Sequence, residues 1–230
     1  MARPTGDAYV DSILYGTNHW GLDELTYFFD NSYDNWTSCA KKAFETALEA
    51  WYDVADIDFR PTLLSGSADL IESYVDDDTM TNLIGNGTLG AHEVPQSDDH
   101  TFWLQGWYNW ETFGWPERTG YDADSLEPGG LALSTFIHEI GHALGLAHPH
   151  DNDGKTVRMP GVSADDDLGT HEFNQGVYTV MTYNDGWTEQ DPWGSGVNDR
   201  GYNSGPGAYD FAAIQFLYGA DTAKKGGSTT

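Results

Sequence analysis

Apolar positions along the chain switch between a period of two and a period of three to four, and the switches outline a sheet with helices packed on it. Leu25 to Phe29 is a compact, β-prone apolar run that reads as a buried strand. From about Ser38 to Ala55, Phe44, Ala47, Leu48, Trp51 and Val54 recur at three- and four-residue steps. This predicts an amphipathic helix, capped by Thr37 or Ser38 and packed on the sheet. Ile57 to Arg60 and Asp69 to Val75 read as two more strands, and strand, helix, strand order favours parallel pairing. Thr88 to Val94, bounded by glycines and Pro95, fits a short edge strand, and Thr101 to Trp110 reads as one more. Leu131, Leu133, Phe136, Ile137, Ile140, Ala143 and Leu144 cover most of the circumference of a helix beginning near Gly130, which puts that helix at the centre of the core. Tyr209 to Tyr218 is a final helix stopped by Gly219. The acidic run Asp76, Asp77, Asp78 is read as opening a loop, as are residues 111 to 130, 149 to 176 and 184 to 207.

With 230 residues the chain fits one compact domain with a sizeable core. We expect a wrapping segment at 1–24, a catalytic-sized unit at 25–220 divided near 147, and a flexible tail at 221–230. Hydrophobic content of 39% and the lack of any long apolar run argue against a membrane protein. The net charge of −27 changes the choice of partners: with no Lys or Arg between Arg60 and Arg118, the surface repels nucleic acid and anionic membranes. It suits a salt- or calcium-rich solvent or cationic substrates, and equally a face that only maintains solubility. Cys39, the sole cysteine, permits no internal disulfide and is read as a small buried side chain. The first residues have no apolar h-region of a conventional secretory signal.

Chemistry concentrates between Ser134 and His150, where His138, Glu139, His142, Gly145 and His148 spell HExxHxxGxxH. One helical turn separates His138 from His142, so both imidazoles leave the same face and can grip one cation. Gly145 can adopt positive φ, end the helix and turn the chain back so that His148 arrives as a third ligand. Three imidazoles with a fourth position left to water suit a single catalytic Zn²⁺. Glu139 points about 100° away from the ligand face, beside the water, and is the natural general base for attack on a carbonyl. Asp151, Asn152, Asp153 and Gly154 resemble the start of a calcium loop but lack its distal glutamate; Ca²⁺ there or at Asp76–Asp78 is left open, with a solvated turn preferred.

Together with Tyr178 to Tyr183 (YTVMTY) and the closing DFAAIQFLYG, this motif resembles the metzincin metalloproteases, and most of all the serralysins. The resemblance spans roughly residues 22 to 220. It implies an α/β fold with a twisted, mostly parallel five-stranded sheet, one antiparallel edge strand, two long helices and a loop-rich C-terminal part with a Met-turn. It assigns zinc to His138, His142 and His148, the base to Glu139, an apolar floor to Met181, and a switchable phenol ligand and oxyanion donor to Tyr183. The strand at Leu89, Gly90, Ala91 and His92 matches the family's substrate-aligning edge. A second zinc at His92 and His100, as in matrixins, is set aside in favour of exposed or hydrogen-bonded histidines. The calcium β-roll of serralysins would begin where this chain stops, and no cysteine switch precedes the domain.

The expectation is therefore a secreted, monomeric zinc endopeptidase acting on polypeptides and open to a proteinaceous inhibitor. A zinc amidase on a small or cell-wall substrate and a non-catalytic peptide- or inhibitor-binding module are the rivals. An intact Glu139 argues against the last, since binding needs no base.

Overall fold

The computed structural model describes residues 4–96, 103–111, 123–184 and 201–220. His100, the first residues of the strand expected from Thr101, parts of the two glycine-rich loops and the expected flexible tail lie outside these residues. The strands are β1 (Glu24–Asp30), β2 (Asp58–Pro61), β3 (Leu70–Val75), β4 (Gly90–His92) and β5 (Leu104–Asn109). They form one sheet in the order β2-β1-β3-β5-β4. All pairings are parallel except that of β4, which runs antiparallel to β5 at the edge. This is the α/β architecture expected.

The helices are α1 (Ala8–Asp11), α2 (Ser38–Tyr52), α3 (Asp77–Leu83), α4 (Leu131–Ala143) and α5 (Ala208–Tyr218). Thr37 caps α2 by accepting the Ala40 N–H at 3.1 Å. Its apolar stripe of Ala40, Phe44, Ala47, Leu48 and Trp51 is buried. Helices α2 and α4 cover one sheet face: Phe44 meets Tyr27 of β1, Phe136 meets Tyr108 of β5, and the Trp51 indole donates to the Ile137 carbonyl at 3.0 Å. The aromatic rings of Trp36, Phe44, Tyr74, Tyr108 and Phe136 interlock at edge-to-face and stacked angles. Among the described residues no helix is long and apolar enough to cross a membrane.

Four sequence readings change. Leu25 and Tyr27 are buried but Thr26 and Phe28 are not, because the long helices cover only one face of β1; Phe29, on the covered face, is half-buried against Trp36 and Phe44. Asp76 does not open a loop; its side chain accepts the Thr79 N–H at 2.8 Å and starts α3. Cys39 is exposed, lying in the first turn of α2 off its apolar stripe. The N-terminal segment builds core as well as wrapping it: Ile13 and Leu14 are fully buried, and Leu14 bridges Leu146.

Candidate metal centre

Helix α4 presents His138 and His142 one turn apart, and Gly145 at φ +102° reverses the chain behind them. The reversal is a Schellman turn, with the Gly145 N–H on the His142 carbonyl and the Leu146 N–H on the Gly141 carbonyl, both at 2.9 Å. His148 is thereby returned to the helix. Its Nε2 lies 3.2 Å from Nε2 of His138 and 3.0 Å from that of His142.

The other nitrogen of each ring is held by an oxygen that can only accept. His138 Nδ1 donates to the Val180 carbonyl at 2.7 Å, His142 Nδ1 to the Leu146 carbonyl at 3.0 Å, and His148 Nδ1 to the Asp151 carboxylate at 3.2 Å. The proton of each neutral ring therefore sits on Nδ1, and three Nε2 lone pairs face a common point. Such a cluster is repulsive without a positive charge at its centre. Nitrogens bound tetrahedrally at zinc distances stand about 3.3 Å apart, so this donor set fits Zn²⁺. Burial, helped by neighbouring histidines, lowers the pKa of His138 to about 3 and that of His142 well below its ordinary value, which keeps both rings neutral.

Glu139 leaves the helix towards the sheet edge. It is buried, and a Cβ on Gly90 would come within 2.8 Å of its Cγ and 3.0 Å of its Oε1, so the strand approaches the carboxyl only because residue 90 is glycine. Burial pushes its pKa up to about 8; the charge of His92 opposes this, and Glu72 adds to it. The Leu89 carbonyl accepts the Asn109 N–H at 2.8 Å and the Glu93 N–H donates to the Gln105 carbonyl at 3.0 Å. Antiparallel alternation then turns the backbone groups of Gly90 and His92 to the open edge. A cleft of about 450 Å³ lies between this edge and α4, lined by Gly90, Thr135, His138, Glu139, Thr182 and Tyr183 among others.

Met181 is fully buried, and its Sδ would stand 2.6 Å from a Cβ on Gly141, the residue before His142. The Tyr183 ring, 56% exposed as a residue, lies with its centroid 4.7 Å from that of His148. Burial raises the Tyr183 pKa to about 12, so the phenol keeps its proton at neutral pH. Of the residues singled out in the sequence, Leu89, Gly90, His138, Glu139 and Tyr183 line the cleft, His142 and His148 join His138 in the Nε2 cluster, and Met181 packs on α4 at Gly141.

Sequence reasoning missed the residues that hold these in place. Asp151, read as part of a calcium-like turn, instead takes the backbone N–H and Nδ1 of His148. Asp210, in the first turn of α5 and completely buried, accepts from the Thr179 hydroxyl at 2.6 Å and from the Val180 and Gly207 N–H groups at 2.7 Å each. Burial pushes its pKa up to about 6 against the pull of these donors. Asp210 thereby fixes the Val180 carbonyl that orients His138. Replacing Asp210 by alanine strands three donors, two of them buried, and is expected to cost about 3 kcal/mol or more. Urea unfolding should show the loss, and zinc affinity should fall with it by about ten-fold or more; an Asp210→Ala protein that binds zinc like the parent would sever this link. Of the two alternatives the sequence left for His92, exposed or hydrogen-bonded, the structure shows the second: its side chain is buried against Glu72.

The matrixin family model matches residues 19–166, over half of the chain. Serralysin of Photorhabdus luminescens is 28% identical over 211 residues, covering 91% of this chain and 37% of that protein. Serralysin of Proteus mirabilis is 32% identical over 192 residues, covering 81% and 36%, and serralysin G of Dickeya chrysanthemi 29% over 185 residues, covering 80% and 34%. The chain spans little more than a third of the length of these curated relatives. Its parallel sheet with one antiparallel edge, its three convergent histidines and these matches agree: the chain belongs to the matrixin peptidase family and is a metzincin of the serralysin type.

Proposed function

We propose that the protein is a zinc-dependent endopeptidase that hydrolyses internal bonds of polypeptides. The observation that carries this reading is the convergence of three Nε2 lone pairs beside a buried carboxyl and an open strand edge. His138, His142 and His148 would hold the zinc. When bound, it supplies a Lewis acid that acidifies water and polarises a carbonyl.

The chain's own groups do the rest. Backbone groups of Gly90 and His92 take an extended peptide as an added strand, which aligns the main chain whatever its side chains. Glu139 receives the proton of the attacking water on its carboxylate and passes it to the departing amine nitrogen. Burial favours its protonated form, while a cation in the histidine site favours its ionised form, so the carboxyl is poised to hold the proton in passing. Tyr183, with its proton retained, can donate a hydrogen bond to the developing oxyanion. Met181 closes the floor without offering a charge. By its resemblance to serralysins we place the enzyme outside the cell.

The test is cleavage of casein and a peptide library by the purified chain, with zinc content measured in parallel. Cleavage should stop with 1,10-phenanthroline and return on adding zinc. Stoichiometric zinc without cleavage of any polypeptide would overturn the endopeptidase reading, and hydrolysis of peptidoglycan fragments would then favour the amidase.

A further inference from the structure

His92 belongs to a three-residue strand at the sheet edge, where a polar side chain is ordinarily solvated, yet its side chain and that of Glu72 are both fully buried. Register explains how they meet. Glu72 of β3, Gly106 of β5 and His92 of β4 stand in one row across the sheet. A Cβ on Gly106 would overlap Glu72 Oε2 and lie 2.7 Å from His92 Cδ2, so the glycine leaves the gap through which the two side chains touch. His92 Nε2 lies 3.4 Å from Glu72 Oε1, and His92 Nδ1 donates to the Glu93 carbonyl at 2.7 Å. Both ring nitrogens thus face acceptors, as an imidazolium requires. Burial pulls the His92 pKa down, but Glu72, with the Glu93 carbonyl and Glu139, more than offsets it. The Tyr108 phenol is buried beside the same carboxyl, whose charge helps to hold its proton in place.

Stability does not account for this pair, because well-packed apolar residues in place of a buried ion pair are commonly as stable or more so. Location does. β4 is held by a short ladder to β5 alone, and its outer side carries Gly90, against which Glu139 rests, and the His92 N–H, which faces the Glu139 carboxyl. We propose that Glu72 and His92 form a buried strut that fixes the edge strand against the zinc helix and so sets where Glu139 and the substrate main chain meet. Both side chains are positioning groups: neither reaches the substrate, whose main chain meets only the backbone of the edge strand. The kinetic consequence rests on the peptidase reading, whereas the effect on β4 does not.

The test compares the zinc-loaded full chain with Glu72→Gln and with the double variant Glu72→Leu/His92→Leu, which keeps the volume apolar and should fold even where the single change does not. Amide hydrogen exchange at residues 90–93, zinc content, kcat and KM are read together. Exchange at β4 should quicken about ten-fold or more while β1 and β3 keep their protection. Zinc should stay stoichiometric, and kcat should fall by about 10²-fold with a smaller change in KM. Gly106→Ala, pushing on the same pair from β5, should reproduce the β4 effect. Parent-like exchange at β4 in the zinc-loaded double variant would overturn the strut, as would quickened exchange spread evenly over all strands. So would β4 quickened as expected beside unchanged kcat. Should the parent cleave no polypeptide, the peptidase reading fails by itself and β4 exchange still decides the strut.

Discussion

Glu139→Gln is expected to keep zinc at one per chain and to lower kcat on peptide substrates by about 10³-fold, within the range a positioned acid–base group supplies. The separation of the two effects follows from the directions of the side chains. Glu139 lies against Gly90 and faces the His92 backbone, whereas the zinc-binding Nε2 cluster is oriented by Val180, Leu146 and Asp151, none of which contacts the Glu139 carboxyl through a hydrogen bond among the described residues. Glutamine preserves volume and loses only the capacity to take a proton. Metal analysis and steady-state kinetics decide it: turnover near the parent level would remove Glu139 from the mechanism. A second measurement uses metal-free protein. The folded pKa near 8 lies above the ordinary value of 4.5, so the stability contributed by this carboxyl is fully present below about pH 4.5 and is lost as pH rises through 8. The metal-free Gln variant should therefore gain on the parent over that window, by about 3 kcal/mol or more.

The metal motif was legible in the sequence because its parts are local. Three ligands, a base and a turn glycine fall between His138 and His148, and helical period plus one positive-φ residue suffice to bring them together. What was not legible depends on register. Glu72 meets His92 only because β3, β5 and β4 align on Gly106, and no periodicity within one strand records that pairing. Asp210 is 72 positions beyond His138 in the chain and acts on it through Val180. Asp151 was visible but ambiguous, since an acid three residues after His148 fits a cation loop as readily as a histidine's Nδ1. Helix α3 had a readable cap in Asp76 and Thr79, hidden by the assumption that consecutive acids mean loop; aspartates in a first turn favour a helix through its dipole. Cys39 could have been placed by helical phase, one position before the first buried residue of α2.

Gly145→Ala is expected to cost about 4 kcal/mol, to weaken zinc binding by more than about 100-fold, and so to abolish activity at ordinary zinc concentrations. Two penalties add at this position. An L residue at φ +102° is strained by about 1–3 kcal/mol. The new methyl would also overlap the Asn18 carbonyl oxygen, which is backbone and cannot swing aside. Relief requires the turn to open, and the turn holds three things at once. The Gly145 carbonyl accepts the Tyr15 N–H at 2.9 Å, the Leu146 carbonyl orients His142, and the chain beyond delivers His148. Gly154→Ala is the control: φ there is +97°, with nothing within 4 Å of its would-be Cβ, so it carries the conformational strain alone. Urea unfolding and zinc competition against a chelator should find Gly154→Ala destabilised by about 1 kcal/mol with parent-like zinc affinity. A Gly145→Ala protein as mild as that control would mean that backbone conformation, and not the close approach of Asn18, is what the glycine supplies.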